Sequence, residues 1–135
     1  MWKKLGLIFK PDKSLEWMQS HATTPVPVYL KDNDFRIFFS SRNKYNQNSL
    51  GYIDIDINKP TKIKNISEKP VISFGDLGHF DCDGIYATSL VGDEDRLNFY
   101  YAGWNAGRDG LFYSSLGLAV SCDNGYTFKK QTVLG

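Results

Sequence analysis

The chain has 135 residues, enough for one ordinary domain, with 16 basic and 15 acidic side chains and a net charge of +1. That balance, together with 23% charged and 41% hydrophobic residues, excludes a disordered or fibrous chain and leaves no electrostatic footprint for nucleic acid. Aromatic residues reach 15%, a composition that favours strands and also supplies flat apolar faces for stacking.

The opening Met1-Trp2-Lys3-Lys4-Leu5-Gly6-Leu7-Ile8-Phe9-Lys10 holds only a five-residue apolar run before Lys10. A signal peptide needs a longer apolar region and a small-residue cleavage site, and no segment approaches the length of a membrane span. The expectation is a cytoplasmic, reduced protein that does not engage a membrane. Cys82 and Cys122 form no CxxC pair and have no ligand-spaced histidine; no zinc site, other metal site or cofactor is expected.

Helical periodicity is confined to 14–20, where Ser14 can cap a single turn. Elsewhere short alternating or apolar runs are bounded by Asn, Asp, Gly, Pro and Lys, the pattern of strands and turns. Strands are expected at 3–9, 26–31, 35–41, 49–56, 61–66, 86–92, 96–103, 115–122 and 127–133. Asp32-Asn33-Asp34 and Gly92-Asp93-Glu94-Asp95 read as hairpin turns.

One pattern is written twice. Phe35-Arg36-Ile37-Phe38-Phe39-Ser40-Ser41-Arg42-Asn43, a polar loop and Ser49-Leu50-Gly51 correspond to Leu97-Asn98-Phe99-Tyr100-Tyr101-Ala102-Gly103-Trp104-Asn105, a longer loop and Ser115-Leu116-Gly117. The offset is 62 to 66 residues, longer than the roughly 40 to 50 of common propeller repeats; long inserted loops account for the excess. Each copy supplies about four strands, which is one blade of a β-propeller. The expected architecture is all-β and propeller-like, a single partial domain with four-stranded antiparallel blades at about 22–75 and 80–135. Closed propellers need about four to eight blades, so the chain reads as a truncated product, a homo-oligomer or an open pair. Whole two-blade copies can close a six-bladed ring as trimers.

Near the C-terminus, Ser121-Cys122-Asp123-Asn124-Gly125-Tyr126-Thr127-Phe128 reads S-x-D-x-G-x-T-F. It resembles the Asp-box, a hairpin turn repeated on the blades of many carbohydrate-active propellers. Asp123 is expected to accept from backbone amides that follow it, Gly125 to take a positive φ, and Phe128 to pack inward.

A series of motifs carries a wider resemblance: Trp17-Met18-Gln19-Ser20-His21-Ala22 with Pro25, Arg36-Ile37-Phe38-Phe39-Ser40-Ser41-Arg42, Gly78-His79-Phe80-Asp81-Cys82-Asp83-Gly84-Ile85, Tyr100-Tyr101-Ala102-Gly103-Trp104-Asn105 and Ser115-Leu116-Gly117-Leu118-Ala119. From about residue 2 to 135 the chain resembles the N-terminal part of glycosidase-like five-bladed β-propeller proteins, the superfamily of invertases, levanases, arabinanases, xylosidases and mannoside phosphorylases. The resemblance implies a carbohydrate ligand and catalytic carboxylates projecting into a central funnel from different blades. Hydrolysis needs two such groups flanking the scissile bond. Invertase-like members carry an Asp after a tryptophan-methionine-asparagine triplet; here Trp17-Met18 is followed by Gln19, Ser20 and His21, without a carboxylate.

Asp81 and Asp83 are therefore the candidate acid and base. In an extended segment, residues two apart face the same side, so the carboxylates would be neighbours and raise one another's pKa. Alternatively, both cap amides in a loop that turns at Gly84. The candidate substrate-binding residues are His21, Arg42, Trp104, Asn105 and Arg108, with Tyr113 in the same long loop. His21 either bonds a sugar hydroxyl or is satisfied locally. Arg42 pairs either with a ligand carboxylate or phosphate or with a turn Asp. Trp104 either stacks on a sugar or packs in the core. Three functions stay open: a glycoside hydrolase or phosphorylase, a lectin-like binding oligomer, and an inactive fragment of a larger propeller.

Overall fold

The structure, a computed structural model, describes residues 1–93 and 95–131. Its described residues are all-β. Eight strands follow in order: β1 (Ser20–Lys31), β2 (Asp34–Arg42), β3 (Asn48–Asp56), β4 (Ile63–Ile66), β5 (Gly84–Asp93), β6 (Arg96–Ala106), β7 (Phe112–Ser121) and β8 (Lys129–Lys130). They form one mixed sheet. Within it, β1 to β4 pair antiparallel in sequence order, as do β5 to β8. A single parallel pairing, Asn48 with Gly84, joins the two runs.

The repeat seen in the sequence is a repeat in register. Phe39 lies opposite Gly51 on β2 and β3, and Tyr101 lies opposite Gly117 on β6 and β7. Each glycine leaves room for an aromatic ring: a Cβ on Gly51 would collide with the Trp17 ring, and one on Gly117 with the Tyr101 ring. The equivalence of these glycines is thus steric.

Successive side chains of a strand point to opposite faces, and β2 uses both. Phe38 joins Leu50 and Tyr52 of β3 and Ile85, Ala87, Phe99, Tyr101 and Ala119 of the second run in one core cluster. Phe39 joins Ile53 and Ile55 in another, which Trp17, Met18, Phe9 and Leu15 of the N-terminal segment cover. Burying each large apolar side chain contributes about 1.5–3 kcal/mol, so these clusters hold the two runs and the N-terminal segment together.

The other strands stand where alternation places them, but β1 starts earlier, at Ser20, β6 runs on to Ala106 and β7 starts earlier, at Phe112, so Tyr113 lies on β7 and not in the loop. Residues 3–9 are not a strand. Gly6 has a φ of 94°, which breaks the extended conformation. Only Phe9 reaches the core, against Phe39 at 5.4 Å between ring centroids, while Leu5 and Leu7 stay exposed. Residues 14–20 hold one turn, closed by the Met18 amide on the Leu15 carbonyl at 3.0 Å. The expected strand 127–133 is reduced to β8; residues 132 and 133, and Glu94 of the second expected hairpin turn, lie outside the described residues.

The turn between β7 and β8 is built by its own side chains. Asp123 accepts from the Thr127 amide at 2.9 Å and the Thr127 hydroxyl at 2.6 Å, and from Ser121 Oγ at 2.7 Å. Asn124 and Gly125 take φ of 57° and 80°, and Phe128 packs edge-on against Phe38 and Phe99. Desolvation alone would raise the Asp123 carboxyl, but hydrogen bonds from Thr127, Ser121 and the backbone outweigh it and hold the carboxyl below its ordinary range. A depressed carboxyl contributes stability that is complete above its unfolded pKa, about 3.9, and is lost as pH falls through the lower folded value. Asp123→Asn is therefore expected to lower the urea midpoint at pH 7, and its deficit against wild type to shrink below about pH 4. A deficit that is constant down to acid unfolding would contradict this role.

Candidate functional site

The pairing registers place one row of residues across the end of the sheet: Ser20 with Arg42, Arg42 with Asn48, Asn48 with Gly84, Gly84 with Trp104, and Trp104 with Ser114. His21, Asp83 and Asn105 are the chain neighbours of Ser20, Gly84 and Trp104. Five of the seven candidate site residues, His21, Arg42, Asp83, Trp104 and Asn105, therefore sit at one end of both strand runs. Of the other two, Arg108 lies exposed in the loop after β6, and Asp81 points into the core.

The local contacts explain each placement. His21 has a φ of 65° and its Nδ1 lies 2.9 Å from Ser20 Oγ, with the ring exposed. Gln19, in the place where the invertase-like pattern has Asn, donates from Nε2 to the Leu15 and Lys13 carbonyls at 2.7 and 3.1 Å. Its side-chain amide closes the preceding turn. Arg42 donates from Nη2 to Tyr86 Oη at 3.1 Å, a bridge from the first strand run to the second. The half-buried Trp104 ring meets Phe112 edge-on at 6.4 Å, and Asn105 donates from Nδ2 to the Phe80 carbonyl at 3.5 Å.

The two carboxylates are not an extended pair. Residues 77–83 are turns, up to the start of β5 at Gly84. The turn geometry sends the side chains to separate partners. Asp83 is half-buried and accepts from the Ala106 amide at 2.7 Å, tying the start of β5 to the end of β6. Asp81 is 1% exposed. Its Oδ2 accepts from Lys130 Nζ at 2.5 Å and from Tyr101 Oη at 3.3 Å. Burial, then the Asp81 charge, pushes the Tyr101 phenol well above its ordinary range, so Tyr101 stays a neutral donor to Asp81.

Two clefts open at this end of the sheet. One of about 420 Å³ is lined by Glu16, Gln19, Asn43, Lys44 and Tyr45. The other, of about 270 Å³, is lined by Gln47, Phe74, Gly75, Asp76, Leu77, Cys82 and Asp83. Glu16, Asn48, Tyr86 and Phe112 are neighbours of the site that the sequence reading passed over. Phe112 and Tyr86 had a signal, being aromatic at strand ends; Asn48 had none because only the register brings it here, and Glu16 had none because it comes from the turn before β1, which the Gln19 amide ties to the Arg42 carbonyl. Among the described residues no group of three His, Cys, Asp or Glu side chains converges as a metal would require.

No family model matches the chain. Two curated relatives, uncharacterized proteins from two strains of Mycobacterium tuberculosis, are 38% identical over 120 residues, 89% of this chain and 40% of theirs. The chain thus spans about two fifths of the length of the curated relatives it matches. A glycosyl hydrolase structure from Bacteroides ovatus superposes with a TM-score of 0.70 at 14% identity, over 97% of this chain and 40% of that one. A second Bacteroides ovatus structure, named as a candidate glycoside hydrolase, gives 0.69 at 13% identity, over 95% and 38%. At such identities the likeness is one of fold, and it is this: the eight strands have the all-β, glycosidase-like arrangement found in part of those larger chains.

Proposed function

We propose that β1–β4 and β5–β8 are two adjacent blades of a β-propeller, and that the shared sheet end is the carbohydrate-facing end of a protein that binds or cleaves an oligosaccharide or glycoconjugate. The observation that carries the reading is the row from Ser20 to Ser114, which brings His21, Arg42, Asp83, Trp104 and Asn105 to one sheet end from separate strands. The superposition on two fifths of a glycosyl hydrolase chain supports it. In this reading Trp104, with Phe112 beside it, stacks on a sugar face, and His21, Arg42 and Asn105 bond hydroxyls. Asp83 is the carboxylate at the sheet end and serves as acid or base; Asp81, buried with Lys130, acts by holding the turn that carries Asp83. A second carboxylate for hydrolysis comes from Glu16 at the edge of the larger cleft or from another blade.

A lectin-like reading is favoured by one observation. Ser20, where invertase-like proteins carry a carboxylate, is engaged with His21. Binding of methyl glycosides, followed by tryptophan fluorescence, and turnover of aryl glycosides with and without phosphate separate the two. In both, Trp104→Ala is expected to weaken binding about tenfold, roughly 1.4 kcal/mol. In the enzyme, Asp83→Asn removes turnover, about 10²-fold or more, and spares binding. In the lectin no turnover exists and Asp83→Asn changes affinity little. Unaltered binding in Trp104→Ala would remove this sheet end from the function.

A further inference from the structure

Among the described residues, four buried side-chain polar atoms have no hydrogen-bond partner in the chain: Trp17 Nε1, Asn48 Nδ2, Asn48 Oδ1 and Trp104 Nε1. Trp17 is alone, packed against Gly51 and Phe39. The other three atoms belong to two side chains that meet at Gly84. A Cβ there would lie 2.5 Å from Trp104 Nε1, 2.8 Å from the Asn48 backbone nitrogen and 3.0 Å from Asn48 Cβ, where the Asn48 side chain begins. Gly84 also has a φ of 155°. It is a glycine because the Trp104 indole nitrogen and Asn48 close over its Cα.

Asn48 is fully buried, yet neither end of its amide is bonded. Buried polar groups are almost always satisfied, and each one left unpaired opposes folding. Asn48 cannot be explained as a strand residue with its side chain in water. It lies in the row that crosses the proposed carbohydrate-facing end, between Arg42 and Gly84.

We propose that Asn48 and Trp104 together bind one hydroxyl oxygen, supplied by an ordered water or by a sugar ring that reaches this end of the sheet. The chemistry selects a hydroxyl. Trp104 Nε1 can only donate, Asn48 Oδ1 can only accept, and Asn48 Nδ2 donates. A cation would meet one acceptor and two donors. An anion would leave Oδ1 unpaired. A hydroxyl accepts from the indole and the amide while donating to Oδ1, so all three orphan atoms are paired by one group. Asn48 and Trp104 come from different strand runs, so the same oxygen also bridges them. The sugar source rests on the carbohydrate reading above; the water source does not.

The test is NMR of the full chain labelled with ¹⁵N, in which Trp104→Phe assigns the Trp104 indole signal. A bound water gives a nuclear Overhauser effect from the Trp104 indole proton to water. Titration with methyl glucoside, methyl mannoside and methyl arabinofuranoside then separates the sources. If a glycoside shifts the indole signal and removes the water effect, the oxygen is the sugar's. If the water effect persists through the titration, the oxygen is water's, and the hydroxyl site stands without the carbohydrate reading. In either case Asn48→Ser, which keeps a small polar group, is expected to weaken the bound-oxygen signal several-fold. An indole proton with no water effect and no response to any glycoside, but a direct effect to the Asn48 side-chain amide, would overturn the proposal. The two residues would then satisfy each other.

Discussion

Replacing Arg36 with methionine is expected to cost about 3–5 kcal/mol of folding stability, the range for breaking a buried ion pair from one side. Arg36 is 1% exposed. Its Nε and Nη2 donate to the two carboxylate oxygens of Asp54 at 2.8 and 3.0 Å, the forked geometry that makes Arg–carboxylate pairs strong. Its guanidinium carbon lies 3.8 Å from the centre of the Tyr52 ring and 4.3 Å from that of Tyr126, a cation held between two aromatic faces. Its Nη1 donates to the Asn124 carbonyl at 3.2 Å. Asp54 and Tyr52 belong to the first strand run, whereas Asn124 and Tyr126 belong to the turn after β7. Arg36 is therefore the polar link that docks this turn on β2.

Methionine fills much of the space but leaves the Asp54 carboxylate, 13% exposed, without its cation. Urea denaturation measures the loss. The double variant with Asp54→Leu is expected to recover a large part of it, because the uncompensated charge is gone. Arg36→Lys keeps the charge but not the fork, and is expected to fall between wild type and Arg36→Met. A loss below about 1 kcal/mol for Arg36→Met would put it in the range of an exposed surface pair, and the docking role would fail.

The strands were legible because their information is local. Alternation in Phe35 to Arg42 and in Leu97 to Trp104, the Asn124-Gly125 turn and the twin Ser-Leu-Gly segments each lie within a few residues. Arg36 was not legible as a core residue. Its sequence neighbours Phe35 and Ile37 make it look like the solvent-facing member of a strand, and its partners lie 18 and 88 positions away. The apolar run from Leu5 to Phe9 has the right composition for a strand, but a strand also needs a neighbour to pair with, and Gly6 turns the backbone away. Of the candidate site residues, His21, Arg42, Trp104 and Asn105 come to one end of the sheet because the strand register fixes which ends coincide. The relation between Asp81 and Asp83 depended on the backbone between them. An extended chain would have made them a pair; the turns at 77–83 give one to the core and the other to the sheet end.

That division makes Lys130 the second position of large effect. Lys130→Met is expected to cost about 3–5 kcal/mol, although Lys130 looks like an ordinary basic residue on a two-residue strand. The Asp81 side chain is 2% exposed, and Lys130 is its partner cation; without it, the Tyr101 hydroxyl at 3.3 Å is the one side-chain donor that remains among the described residues. Nor can the carboxylate move out to water. Asp81 is wedged between Gly75 and Gly103, where an added Cβ would overlap its side chain. Asp81→Asn alone leaves the lysine facing a neutral amide and is expected to destabilise less, since Lys130 is 19% exposed and its flexible stem can carry the charge to solvent. The double variant Asp81→Asn with Lys130→Met is then expected to be more stable than Lys130→Met alone, a coupling that a double-mutant cycle in urea reads directly. The same variants separate the two carboxylates in function. On the carbohydrate reading proposed above, Asp81→Asn is expected to lower stability and glycoside binding together, whereas in the enzyme case Asp83→Asn is expected to remove turnover with a smaller loss of stability. If Asp81→Asn abolished turnover in a protein of unchanged stability, Asp81 would belong to the chemistry and not to its support.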